Sequence, residues 1–327
     1  MRILQAGLLV ALVLAVTSAV AADDVVPPDA PSRIEVIPIQ TLTITDEQFL
    51  KGASNGKPVT IAGVLRLAKG TGRLPVVILV QGSGGFNSNS DVWDRQFDAM
   101  GISTFAMDSF AGRGITSTVA DQSQLGRLNM VLDIYRSIAV LASNPRVDPN
   151  RIAVMGFSRG GGAALYASVK RFQKIWSTSE SEAAAYIALY PTCNTIYIDD
   201  ERVSEHPIRM FHGIPDDYVE ITPCRNYYQR LKAKAKDIEM TEFPDTWHAY
   251  DYVGYPMVPT VVPPAQTTHC ALFEDPVGRI INTATDQPFS YNDACVGRGP
   301  HVAYSPAATH ATEERVKILL KNVFRVD

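Results

Sequence analysis

Three residues of this chain have the types and spacing needed for acyl transfer: a serine, a carboxylate and a histidine. The serine is Ser158, in Gly156-Phe157-Ser158-Arg159-Gly160. Before it runs the β-branched apolar segment Arg151-Ile152-Ala153-Val154-Met155, opened by the turn-forming Asp148-Pro149-Asn150; after it come Gly161, Gly162 and the helix formers Ala163-Ala164-Leu165-Tyr166-Ala167. Strand, Gly-x-Ser-x-Gly and helix in that order form the context of a nucleophile elbow. The glycines let the chain turn sharply, so the serine is expected in a strained conformation with its Oγ exposed. The following helix N-terminus would direct free N–H groups and positive partial charge at an oxyanion formed there. The competing reading of the pattern alone is an ordinary glycine-rich turn, and the flanking segments favour the elbow.

The two partners are read from the ends of later strands. His212-Gly213-Ile214-Pro215-Asp216-Asp217 follows an apolar segment, and an acid there, after the serine in sequence, would fix the tautomer of a histidine and stabilise its charged form. Asp216 is preferred to Asp217 because the Gly-x-x-Asp spacing returns it over the sheet; helix capping is the competing use. Of the six histidines, His248 in Pro244-Asp245-Thr246-Trp247-His248-Ala249-Tyr250-Asp251 is the one just beyond a late strand and after the acid. His248 would take the Ser158 proton, Oγ would attack an ester carbonyl, and water activated by His248 would release the acyl group. Two backbone N–H groups would hold the oxyanion: that of Arg159, and one from the glycine-rich Gln81-Gly82-Ser83-Gly84-Gly85, with Ser83 first and Gly82 next. This chemistry needs no cofactor or metal, and no metal-ligand cluster stands out in the sequence.

Such residues need a scaffold that presents strand ends together. Leu74-Pro75-Val76-Val77-Ile78-Leu79-Val80 is a continuous apolar run, as in a strand buried on both faces of a parallel sheet. Shorter strands are expected over 103–107, 151–155, 184–189, 208–212 and 238–243, with earlier, antiparallel ones over 33–40 and 59–67. Helical patterns lie over 91–100, 125–144, 160–174, 223–234 and 312–323. Alternation of this kind predicts an α/β fold: a doubly wound, mostly parallel sheet of about eight strands with helices on both faces. In such sheets ligands bind beyond the carboxyl ends of the strands. Residues 252–306 break the rhythm, being rich in Pro, Thr and Asn, and read as an insertion on the same domain. It either walls or lids the pocket, or packs on the surface.

Composition bounds the setting. The 327 residues are 46% hydrophobic and 20% charged, with a net charge of −4, values of a globular protein without a basic nucleic-acid footprint. Residues 1–21 read as a secretory signal peptide, with Arg2, an apolar core from Leu8 to Val16 and the small residues Ala19-Val20-Ala21 before the cut. A flexible leader is expected over 22–32 and one domain over 33–327. An exported protein, periplasmic or secreted, with no stable membrane insertion after cleavage is therefore expected. Its four cysteines predict two disulfides. Cys193 and Cys224 follow neighbouring strand ends and are paired, leaving Cys270 with Cys295 to pin the insertion.

Gly156-Phe157-Ser158-Arg159-Gly160-Gly161, His212-Gly213-Ile214-Pro215-Asp216-Asp217-Tyr218 and Trp247-His248-Ala249-Tyr250-Asp251 resemble the dienelactone hydrolase family over roughly residues 75–251 and the closing helix. The resemblance implies the α/β-hydrolase fold, hydrolysis of small-molecule esters or lactones, and the roles of nucleophile, acid and base for Ser158, Asp216 and His248. Founding members use a cysteine nucleophile and carry a glutamate in the loop after the first buried strand; Ser158 and Gln81-Gly82-Ser83 stand here instead. The chain is more similar to exported relatives with a loop like Asp108-Ser109-Phe110-Ala111-Gly112-Arg113-Gly114. Gly82, Arg113 and Trp247 are expected substrate contacts, with a solvated loop position the alternative for Arg113. The Arg159 side chain is read either as a contact for an acidic substrate or as half of an ion pair. The expected activity is that of a carboxylic-ester hydrolase. The competing readings are dienelactone hydrolysis itself, an acyltransferase or peptidase on the same residues, and a binding protein that has lost the chemistry.

Overall fold

A computed structural model describes residues 33–326; the signal peptide and leader expected over 1–32 lie outside the described residues. Numbered in chain order, β1 (Arg33–Thr43), β2 (Lys57–Leu67), β3 (Leu74–Val80), β4 (Ser103–Asp108), β5 (Val147–Phe157) and β6 (Ala185–Leu189) belong to one sheet. The two-residue β7 (Thr195–Ile196) lies outside it, and β8 (Ile208–Gly213) and β9 (Ile238–Phe243) complete it in the order β1-β2-β4-β3-β5-β6-β8-β9. β1, β2 and β4 pair antiparallel in turn; every pairing from β4 to β9 is parallel. The fold is that of the α/β hydrolases, as the strand–helix alternation predicts.

The helices are α1 (Asp46–Lys51), α2 (Ser88–Asp98), α3 (Asn129–Ala142), α4 (Arg159–Tyr166), α5 (Lys170–Trp176), α6 (Ile221–Ala233) and α7 (Pro306–Phe324). All seven residues of β3 are buried, and their alternation feeds two cores, because successive side chains point to opposite faces. Val76, Ile78 and Val80 join Leu132 and Ile138 of α3 and Ala164 of α4. Val77 and Leu79 join Trp93 and Phe97 of α2 and Leu320 and Phe324 of α7.

Three helices depart from the sequence reading. The helix expected over 160–174 is two, α4 and α5, interrupted where Val169 takes an extended conformation and Ser168 bonds back to the Leu165 carbonyl through both its N–H and its hydroxyl. α1 was not expected, although Thr45 and Gln48 form a capping box there of the kind a sequence can show. α7 begins at Pro306, ahead of the expected 312, since Ser305 caps it and proline suits a first turn.

The strand order also positions the site. The chain leaves β3 for β4 on one side and returns to β5 on the other, so the loops after β3 and β5 diverge at a topological switch point, where open α/β sheets open a crevice. The segment after β9 contributes no strand to this sheet. β10 (Thr260–Val261) pairs with β16 (His301–Val302), and β11 (Gln266–Thr268) with β15 (Val296–Arg298). β12 (Leu272–Glu274), β13 (Ile280–Asn282) and β14 (Gln287–Pro288) extend from β7 as a small sheet. Disulfides join Cys193 to Cys224 and Cys270 to Cys295, which marks an oxidising, exported compartment. Among the described residues no helix is long and apolar enough to cross a membrane.

Candidate active site

Ser158 stands between β5 and α4 with φ 54° and ψ −116°, a conformation that costs a non-glycine residue about 1–3 kcal/mol. Its surroundings hold it there. The Ser158 N–H donates to the Leu189 carbonyl at 2.9 Å, and its own carbonyl accepts from Gly162 at 2.9 Å. The glycines on either side are required by close approach. A β-carbon on Gly156 would fall 2.0 Å from the Gly160 carbonyl oxygen, and one on Gly160 would fall 2.3 Å from the carbonyl oxygens of Val80 and Gln81. Strand and helix therefore press together at the turn, and β3 backs it.

The Ser158 hydroxyl lies 2.8 Å from His248 Nε2, and His248 Nδ1 lies 2.8 Å from Asp216 Oδ2. With Nδ1–H donating to the carboxylate, Nε2 is left to accept from the serine. Asp216 is fixed in turn, its Oδ1 accepting from the N–H groups of Tyr218 and Val219 at 3.0 and 2.9 Å. Asp217 points elsewhere: it accepts from the N–H and Nδ1 of His301, both at 2.8 Å. The preference for Asp216 thus has a geometric counterpart, and Asp217 ties β16 to the acid loop. β16 also braces the base, through a bridge between His248 and Val302.

His248 is enclosed by aromatic rings. Tyr190 meets it edge-on at 4.7 Å and Tyr218 lies tilted at 4.5 Å. The Tyr190 hydroxyl donates to Asp251 at 2.6 Å, and the same buried carboxylate accepts from Asn89 and the Trp93 indole. Burial, with Asp251 beside it, raises the Tyr190 pKa well above the ordinary tyrosine value. Asp251 is therefore a positioning residue, anchoring the loop that carries His248 to α2. Behind Asp216, His212 is fully buried, 3.9 Å from that carboxylate, with Nδ1 donating to the Gly213 carbonyl at 3.0 Å. Burial lowers its pKa below the ordinary histidine value.

Arg159 opens α4, so its N–H lies in the first helical turn, where no helix carbonyl can receive it. The Ser83 N–H likewise finds no acceptor among the described residues, while the Ser83 carbonyl accepts from the Thr118 N–H at 2.8 Å. Gln122 links these two residues. Its amide nitrogen lies 2.9 Å from Ser83 Oγ, and its amide oxygen accepts from Arg159 Nη1 at 2.8 Å. The Arg159 guanidinium also bonds the carbonyls of Gln122 and Leu125. No carboxylate pairs with it among the described residues, and burial holds its pKa below the usual arginine value. The ion-pair half of the sequence reading is thereby corrected; the side chain's bonds order the loop over 122–125, and the residue lines the larger of the cavities beside Ser158.

Two cavities open on either side of Ser158, and both are lined by Ser158, Ser83 and Tyr218. The larger has a volume of about 440 Å³ and is walled by Arg159, Thr192, Asn226, Thr268, Ala271 and Leu272, among others. The segment after His248 therefore walls the site, and Cys193 and Cys270 line the same cavity. The smaller, about 100 Å³, is lined by Gly82, Asn89, Tyr190, His248, Tyr252 and Tyr255, among others.

Two expected substrate contacts are corrected. Arg113 lines neither cavity: its guanidinium is buried against Asp133 at 2.7 Å and donates to the carbonyls of Leu42 and Ser109. The paired acid is on α3, too far along the chain for the loop sequence to announce it. Trp247 packs on His301 with rings 5.1 Å apart and is absent from both linings. Gln122, Asp251 and Tyr190, which the sequence reading did not assign, matter through side-chain contacts far apart in sequence.

The fold and this strand-end arrangement define an α/β hydrolase. The model of the dienelactone hydrolase family matches residues 61–256, more than half the chain, and the chain belongs to that family. Among solved structures it is similar to a dienelactone hydrolase-like promiscuous phosphotriesterase from metagenomic libraries, with a TM-score of 0.57 and 14% identity over 89% of this chain and 98% of that one. It is also similar to a protein assigned as a dienelactone hydrolase from Klebsiella pneumoniae subsp. pneumoniae MGH 78578, with a TM-score of 0.54 and 14% identity over 88% and 98%. Likeness at that identity speaks for the fold alone. No curated protein matches the sequence.

Proposed function

We propose that this chain is an exported serine hydrolase that cleaves carboxylic esters or lactones through an acyl-enzyme. The observation that carries the reading is the relay from Ser158 Oγ through His248 to Asp216, with 2.8 Å at each step. As Oγ attacks the carbonyl carbon, its proton passes to His248 Nε2, and Asp216 stabilises the imidazolium at Nδ1. The N–H groups of Ser83 and Arg159 receive the developing oxyanion; losing one such donor typically costs about 3–4 kcal/mol of barrier. His248 then returns the proton to the leaving alkoxy oxygen, and the carbon–oxygen bond breaks. In the second half water gives a proton to His248 and attacks the acyl carbon; the bond from that carbon to Ser158 Oγ then breaks as His248 returns the proton to Oγ, releasing the acid.

Family membership supports a small-molecule substrate, and the disulfides support a periplasmic or secreted location. The test is hydrolysis of p-nitrophenyl esters from acetate to decanoate by the mature protein beside Ser158→Ala. Activity that falls at least about a thousandfold in the variant is the expected result. Equal rates in the two proteins would remove the serine mechanism.

A further inference from the structure

The two cavities beside Ser158 differ in size and in one decisive residue. His248 lines the smaller and not the larger. At the tetrahedral stage the substrate carbon carries four groups: Ser158 Oγ, the oxyanion, the acyl carbon and the alkoxy oxygen. Donors fix the oxyanion toward Ser83 and Arg159. The alkoxy oxygen must take a proton from Nε2 as its bond to carbon breaks, so it has to lie within hydrogen-bond reach of that nitrogen. That requirement turns the alcohol portion into the cavity containing His248. The acyl chain is left with the other direction.

Resting on the serine-esterase reading above, we infer that the 440 Å³ cavity is the acyl compartment and the 100 Å³ cavity the alcohol compartment, so that the preferred substrates are esters of bulky acids with small alcohols. The volumes decide how strong the bias is. Small-molecule sites typically enclose about 300–1,000 Å³, a range only the larger cavity reaches. With water taking roughly 30 Å³, the smaller holds on the order of three water volumes, enough for a short alcohol and, once it has left, for the water of deacylation. Its walls are stiff. Tyr190 is pinned by Asp251, and Phe157 and Ala249 belong to or pack on a core cluster. The larger cavity is walled in part by residues 266–272 and by Thr283, outside the main sheet, where side chains can change without disturbing the strand ends.

The test uses two esters built of the same atoms, ethyl octanoate and octyl acetate, followed by pH-stat titration. Both have alkyl leaving groups of similar reactivity, so the ratio of their kcat/KM values reports fit. The expected ratio is at least about tenfold in favour of ethyl octanoate, since a few methylenes suffice for such discrimination. Ala271→Trp, which fills the acyl compartment, should lower this ratio, and Tyr255→Ala, which opens the alcohol compartment, should lower it by raising octyl acetate turnover. A ratio near one or below, with p-nitrophenyl acetate turnover and fluorophosphonate labelling of Ser158 intact, overturns the assignment and leaves the esterase reading standing. Loss of that turnover and labelling as well would overturn both.

Discussion

The loops at the switch point and the segment from Tyr252 to Ser305 meet across one serine, yet different physics holds each in place. At the switch point the backbone is over-determined. β3 and the second half of β5, from Ile152 to Phe157, are buried, Gly156 and Gly160 admit no β-carbon, and Ser158 is kept at a positive φ by hydrogen bonds to flanking strand and helix. The later segment has strands of two or three residues and leaves Val253, Met257 and Val258 more than half exposed. It is fastened by one disulfide and by scattered bonds such as Gln266 to Val119 and Thr267 to Tyr218. The proposed nucleophile and oxyanion donors, Ser158, Arg159 and Ser83, stand on the rigid side, where positions are held within tenths of an ångström. The softer side shapes the cavity.

The contrast is sharpest in catalysis. His248→Ala should lower kcat/KM for p-nitrophenyl acetate at least about a thousandfold. Met257→Ser, on the exposed rim, should stay within about twofold, as surface changes usually do; a large loss there would give the later segment a part in the chemistry. The next effect is on stability. Asp133 receives Arg113 and Thr41 in a buried cluster, and Asp133→Ala should cost about 3–5 kcal/mol in urea unfolding by stranding the guanidinium.

Removing the Cys270–Cys295 bridge, which spans 25 residues, with paired serines should cost about 3.5 kcal/mol by chain entropy. Its activity signature should be a change of acyl-chain preference rather than loss of turnover. The smallest effect concerns pH. Burial lowers the His212 pKa in the native protein, while the unfolded side chain titrates near about 6.5. Stability from this group is complete above that value and is lost as pH falls, since the unfolded chain binds the proton first. His212→Gln should therefore flatten the dependence of unfolding free energy on pH below about 6.5, by at most about 1.4 kcal/mol per pH unit.

This division also explains what could be read from the sequence. Strand ends of a parallel sheet carry local signals: a β-branched run, glycines where backbones touch, a polar residue just beyond. Ser158, Asp216 and His248 could be selected that way, and all eight strands of the main sheet fell near their observed bounds. Arg113 shows the limit, because its partner Asp133 lies on a helix 20 residues away and nothing in the loop marks the pair. Gln122 has the same character: it joins Ser83 to Arg159 through its side chain alone. The short strands of the later segment depend on pairings between distant residues, and their composition says only that the helix–strand alternation has stopped.

The central claim is that Ser158, activated by His248, attacks the substrate. The most direct measurement is to treat the mature protein with a fluorophosphonate and locate the adduct by mass spectrometry of its peptides, beside His248→Ala. The account predicts one adduct, on Ser158, formed far more slowly in the variant. An adduct on another residue, or none at Ser158 in a protein that still hydrolyses esters, would contradict it.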